Sequence, residues 1–175
     1  HLHSIAGIAI ALDKLKTPAF KKYAFQVVKN AQTLAKYFVD KGLDVVSGGT
    51  DKHLVLIDLR KEGTNGWIVA WALEVAGIIA NRNTVPAESA SPFYPSGLRM
   101  GTPAITVRGM KEKEMKVIAE WIYKIIDYVK SYKFPTDASA RATFTKAYLD
   151  KISKDKFLLG IEKEVKSLCQ KFPVP

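Results

Sequence analysis

Cysteine is almost missing: Cys169 is the single one in 175 residues. It can form no disulfide within the chain, which argues against the small secreted scaffolds that replace a core with bridges. Histidine is scarce too, at three. His1 and His3 sit at a terminus and His53 stands far from both, so no zinc-ligand spacing exists and no metal site is expected. Neither a Ser-His-Asp nor a Cys-His arrangement can be assigned. No apolar run approaches the roughly 20 residues that span a bilayer, so no membrane partner is expected. No GxGxxG occurs, and Ser47-Gly48-Gly49-Thr50 lacks the length and lysine of a phosphate-cradling loop. A tight turn is its simpler use. Acidic residues are outnumbered, 17 against 27 basic, leaving a net charge of +10. The lysines are spread along helix-like surfaces without an arginine-rich stripe or a nucleic-acid motif, so no nucleic-acid partner is expected.

What is present suits a folded domain. Hydrophobic residues make up 47% and charged residues 25%, too apolar for disorder and enough for one core, with a satellite helical layer. No signal peptide and no initiator methionine open the chain, which runs from His1-Leu2-His3 straight into helix-like sequence. That start reads as the middle of a larger protein or as a trimmed one.

Residues 4–16 are apolar almost all round until Asp13, which predicts a helix buried on most sides and a partner to bury it. Thr17-Pro18 reads as a cap with a first-turn proline. A second helix is then predicted to about Asp40, with Ala24, Val27, Val28, Ala31, Ala35 and Phe38 at helical spacing and Gly42 as a left-handed stop. The period changes at Leu43–Val46, a turn follows at 47–51, and His53–Leu59 is the strongest strand candidate. Its nearly continuous apolar run predicts cover on both faces. Trp67–Gly77 reads as a helix, with short strands near Ile78–Ala80 and Leu98–Thr102. Lys111 to about Tyr132 carries Met115, Ile118, Ile122, Ile125 and Val129 as an apolar stripe, with Glu112 and Lys116 as a surface pair. Two lysine-rich amphipathic helices, parted around Ser153–Asp155, complete the chain. The fold class is therefore α/β, a small antiparallel or mixed sheet layered with helices.

The loop between the last two strands holds the candidate residues. It begins at Asn81-Arg82-Asn83, contains Pro86, Pro92 and Pro95, and returns through Ser96-Gly97 to Arg99. Prolines make it a directed loop. Arg99 carries a permanent charge and a planar fork that matches a carboxylate or phosphate in two parallel hydrogen bonds. An internal ion pair is the plainer alternative. Arg108 is placed more readily in an internal salt bridge than on the same anion. Asn83 has an amide suited to the edge of a polar heterocycle, and equally to a turn. Thr102 is expected to satisfy backbone, and Cys169 to pack. On residues alone this is an α/β domain with an anion-binding loop, either part of an enzyme whose main chemistry lies elsewhere or a binding module with a basic surface.

Three stretches go further: Val45-Val46-Ser47-Gly48-Gly49-Thr50-Asp51-Lys52-His53-Leu54, Asn81-Arg82-Asn83-Thr84-Val85-Pro86, and Ser96-Gly97-Leu98-Arg99-Met100-Gly101-Thr102-Pro103-Ala104-Ile105-Thr106-Val107-Arg108-Gly109. Together they resemble serine hydroxymethyltransferase, a pyridoxal-phosphate enzyme of fold type I. The resemblance runs collinearly to Phe172-Pro173-Val174-Pro175 and implies a C-terminal portion. Residues 1–41 would continue from or bridge to the large cofactor domain, and 42–175 would form the small α/β domain with its helical tail. It implies that Arg99 grips the α-carboxylate of serine or glycine, that Asn83 contacts the pterin of tetrahydrofolate beside the Ser91-Pro92-Phe93 loop, and that Arg108 supports the site. It also implies a homodimer or homotetramer when complete, in the cytoplasm, with a mitochondrial or plastid form left open. The Schiff-base lysine motif and the other cofactor-holding residues have no counterpart in 1–175. The isolated chain is thus expected to hold no catalytic residue, to bind pyridoxal phosphate poorly or not at all, and to be inactive.

Overall fold

Thr17 and Pro18 split the first forty residues into two helices in the computed structural model, which describes residues 1–175. Helix α1 spans Leu2–Leu15 and α2 spans Pro18–Asp40, where the Thr17 side chain accepts from the Phe20 N–H and the proline occupies a first-turn position that needs no donor. The two helices fare differently. The face of α2 bearing Ala31, Leu34, Ala35 and Phe38 enters the main core. No residue of α1 is buried, and Ile5, Ile8 and Ile10 are 61%, 59% and 61% exposed. The burial expected for α1 is not met within this chain, because the core closes without it.

After Gly42, whose φ of +81° ends α2, the chain forms β1 (Asp44–Val45), a short 3-10 turn (Val46–Gly48) and β2 (Leu54–Asp58). Helix α3 (Gly66–Val75) is capped by Asn65, and it is followed by β3 (Asn81–Asn83), β4 (Gly97–Gly101) and the short α4 (Pro103–Val107). Helix α5 (Glu112–Val129) and the tail helices α6 (Ala138–Ile152) and α7 (Lys156–Lys171) complete the element order. Asp137 and Asp155 cap α6 and α7 by accepting backbone N–H groups, as their position before a periodic run demands. No helix is long and apolar enough to cross a membrane.

The four strands pair antiparallel throughout in the order β1-β2-β4-β3. The fold is thus an α/β arrangement with a small antiparallel sheet flanked by helices. Val45, Val55, Ile57 and Leu98 project from the sheet into one cluster with α2, α3, α5 and the tail helices. Two strand expectations need correction. The β2 run is not covered equally on both faces: Val55 and Ile57 are buried, while Leu54 and Leu56 on the opposite face are only half-buried. The third strand lies at the polar Asn81–Asn83, not at Ile78–Ala80. An edge strand of three residues with an open face needs no apolar pattern, so hydrophobicity could not locate it. Glu112 is also paired differently from expectation. It reaches Lys29 of α2 at 2.5 Å and accepts from Gln26 at 2.9 Å, tying α5 to α2, and leaves Lys116 aside.

A polar network joins α2 to the segment after β4. Asn30 is fully buried, donates to Thr106 Oγ1 at 2.8 Å and to the Met110 carbonyl at 3.0 Å, and accepts from Gln26 at 2.9 Å. Thr102 donates to the Val27 carbonyl at 2.7 Å. It satisfies backbone, as anticipated, and fixes where β4 ends.

Candidate functional site

In an antiparallel sheet, residues directly opposite one another share a face. Leu56 and Asn81 both lie opposite Arg99, and Asp58 and Asn83 both lie opposite Gly97. The face turned away from the core therefore carries Arg99, Asn81 and Asn83 together, with Leu54 and Leu56 beside them. Its central strand is paired on both sides, which holds the Arg99 backbone rigidly. The Arg99 side chain is exposed and enters no ion pair. It borders a depression of about 340 Å³ lined also by His53, Leu54, Asn81 and Gly101. A free guanidinium on a fixed strand, beside amide side chains and a partly apolar floor, can take a carboxylate carried by a small polar molecule.

Asn83 donates its amide N–H to the Thr84 carbonyl at 2.8 Å, which orients the side chain at the start of the loop. Gly97, opposite it, is needed for space: a Cβ there would lie 2.5 Å from the Asn83 carbonyl oxygen and 2.6 Å from Val85 Cγ1. The loop thus folds down over this end of the face.

Arg108 is not in the internal salt bridge expected of it. Its Nε donates to the Phe172 carbonyl at 2.6 Å and its Nη2 to the Cys169 carbonyl at 3.0 Å. Those oxygens belong to the last turn of α7 and to the residue that follows it, where the helix dipole favours a cation. The structure brings Arg99, Asn81 and Asn83 to one face but gives Arg108 to the tail. Cys169 packs, half-buried, against the core.

Sequence reasoning passed over three charged groups at the site's edge. Asp58 ends β2, and Arg60 returns to it with Nη2 at 2.6 Å from Oδ2 and Nε at 3.1 and 3.0 Å from the two oxygens. Burial pushes the Asp58 carboxyl up, but the hydrogen bonds and charge of Arg60 outweigh it and hold the group below the usual carboxylate range. Glu88, within the loop, accepts from the Ser96 N–H at 2.8 Å, the Ser96 hydroxyl at 2.9 Å and the Ala90 N–H at 3.0 Å. Burial raises its pKa as well, and the donors from Ser96 and Ala90 bring it below the ordinary value. The one local signal was Asp58-Leu59-Arg60, opposite charges two apart leaving a strand on the same side. Glu88 had none.

Three or more His, Cys, Asp or Glu side chains are nowhere gathered as a metal site would need. The residues around Arg99 fit a carboxylate group. No lysine lines the depression, so they do not offer the covalent anchor that pyridoxal phosphate requires.

A family model described as serine hydroxymethyltransferase matches residues 1–122. The cytosolic serine hydroxymethyltransferase of Oryctolagus cuniculus is 40% identical over 179 residues, covering 100% of this chain and 36% of the relative. The serine hydroxymethyltransferase of Methanospirillum hungatei is 54% identical over 125 residues, 71% of this chain and 30% of the relative. That of Methanosarcina barkeri is 42% identical over 173 residues, 99% and 36%. The chain spans about a third of the length of the curated relatives it matches.

Proposed function

Since the chain belongs to the serine hydroxymethyltransferase family, we propose that it forms the C-terminal, substrate-gripping part of an enzyme interconverting serine plus tetrahydrofolate with glycine plus 5,10-methylenetetrahydrofolate. On this reading the chain alone is inactive. The observation that carries it is Arg99: an unpaired guanidinium held by a strand with partners on both sides, on the sheet face the core leaves open. Its fork takes the α-carboxylate of serine or glycine through two parallel hydrogen bonds, and so fixes the rotation of the amino acid about its own α-carbon. Asn83, already oriented through Thr84, offers its remaining hydrogen-bonding capacity to the pterin edge. Arg108 supports the site from behind, tying the segment that leaves β4 to the end of α7. The uncovered apolar side chains of α1 meet the remainder of the enzyme, within a helical arm assigned to residues 1–41. Pyridoxal phosphate, anchored in that remainder, supplies the electron sink that makes the bond at the α-carbon breakable.

The test joins this chain to the remainder of a serine hydroxymethyltransferase and replaces Arg99 in the holoenzyme. Removing one partner of a desolvated charge pair costs about 2–5 kcal/mol. Arg99→Ala should therefore lower kcat/KM for serine by about 30- to 5,000-fold. Arg99→Lys should recover only part of that loss, keeping the charge without the fork. An unchanged serine dependence in Arg99→Ala removes the proposed role. Serine-dependent one-carbon transfer by the chain alone overturns the proposed inactivity.

A further inference from the structure

The loop joining β3 to β4, residues 84–96, is tied down by charged groups that make none of the substrate contacts above. Arg60 uses one edge of its guanidinium on Asp58. With the remaining donors it holds the Ala87 carbonyl at 3.0 Å and the Pro86 carbonyl at 3.2 Å. Ala87 has a φ of +54°, a conformation alanine keeps only where its surroundings impose it. Glu88, the next residue, binds across to both polar groups of Ser96 and closes the neck of the loop. The returning chain is stitched to the end of β2 by the Leu59 N–H on the Ser96 carbonyl at 3.1 Å and to the start of α3 by the Gly66 N–H on the Pro95 carbonyl at 2.9 Å. Between the ties, Phe93 stands 80% exposed.

These contacts make the loop a preformed rim next to Asn83. A loop of this length left free would have to be ordered each time a ligand bound, at a cost in affinity. We propose that Arg60 and Glu88 are positioning residues for the folate side of the site: Arg60 fastens the outgoing strand of the loop to β2, and Glu88 fixes the loop's width, so the rim that meets the reduced pterin exists before folate arrives. This rests on the assignment of Asn83 to the pterin. Neither residue touches the amino-acid substrate, which Arg99 holds from the middle of β4. The loss of either tie therefore falls on folate and spares serine.

The holoenzyme tests this with Glu88→Gln, Arg60→Lys and Asn83→Ala. Glu88→Gln keeps the shape but turns a donor toward the Ser96 N–H. Arg60→Lys keeps a charge beside Asp58 but cannot span two carbonyls. Each should raise the KM for tetrahydrofolate about tenfold while the KM for serine stays within about twofold. A fault of folding alone would not produce that split. If Asn83→Ala raises the folate KM and neither loop variant does, the positioning role is overturned and the pterin assignment stands. If Asn83→Ala leaves the folate KM unchanged, the pterin assignment falls and takes the positioning role with it. Serine and folate KM rising together in both loop variants also overturns the proposal. Should Glu88→Gln fail to fold, Arg60→Lys alone decides.

Discussion

Consider Gly97→Ala. Gly97 lies in β4 with Asn83 across from it on one side and Asp58 on the other. Its φ is not in the left-handed region, so alanine is acceptable to the backbone, and the obstacle is room. A Cβ would meet the Asn83 carbonyl oxygen at 2.5 Å, where ordinary contact begins at 3.4 Å. Strand β3 must then retreat by about 0.9 Å, enough to break the ladder it makes with β4. Overpacking typically costs about 1–3 kcal/mol, and the upper part of that range applies because a backbone atom is in the way. At about 2–4 °C per kcal/mol for a chain of this size, thermal unfolding followed by circular dichroism should show a Tm lower by about 5–10 °C. Two other glycines calibrate the result. Gly101→Ala brings a Cβ to 3.3 Å from the His53 carbonyl oxygen, a few tenths of an ångström of adjustment, and should cost under about 1 kcal/mol. Gly160→Ala, on α7, meets nothing within 4 Å and should stabilise by about 0.5–1 kcal/mol. If Gly97→Ala unfolds within about 1 °C of its parent, the close approach of β3 and β4 does not constrain this sheet.

Two further outcomes follow from the polar links around α2. Asn30→Ala leaves the Met110 carbonyl and Thr106 hydroxyl without their buried donor and should destabilise by about 2–4 kcal/mol. Urea unfolding should show a lower midpoint at an unchanged slope, and a loss below about 0.5 kcal/mol would refute the network's importance. Glu112 is held at about 2, below the ordinary 4.5, first by Lys29, then by its own N–H and by Gln26. Its contribution is complete above about pH 4.5 and drains away as pH falls toward about 2. Because Lys29 is mostly exposed, screening limits the effect to roughly 1 kcal/mol or less. Unfolding of the native chain and of Glu112→Gln should differ at neutral pH and converge in acid. A difference that persists at about pH 2 would show that the carboxylate's charge is not what stabilises.

Helices were legible where composition repeats with a helical period and a cap stands in front. Thr17-Pro18 marks a start that the structure keeps. The apolar stripe of α5 was equally plain, since Met115, Ile122, Ile125 and Val129 are all buried. The sheet was only half visible. Strand β2 shows in its apolar run, but β3 is three polar residues whose conformation comes from pairing with β4. Partners distant in the chain left no trace at all. Arg108 finds carbonyls 61 and 64 residues away, and Arg60 reaches 26 and 27 residues to the loop. For the site, the stretch around Arg99 announced itself by chemistry and Asp58-Leu59-Arg60 carried a local charge pattern, while Glu88 became visible only when folding brought Ser96 against it.

The Tyr94 ring lies 4.5 Å from Phe134, and the Arg141 guanidinium sits 5.4 Å above it. Phe134 in turn abuts Trp67 and Phe144. The returning end of the 84–96 loop is thus wedged into a cluster of rings that the helical tail completes. A tail is commonly trimmed as dispensable, yet here it acts as a buttress. Shortening the protein before Phe134, or emptying that cluster with Phe134→Ala, would unseat Tyr94 and slacken the loop from the side opposite Arg60, without altering one residue that meets a substrate.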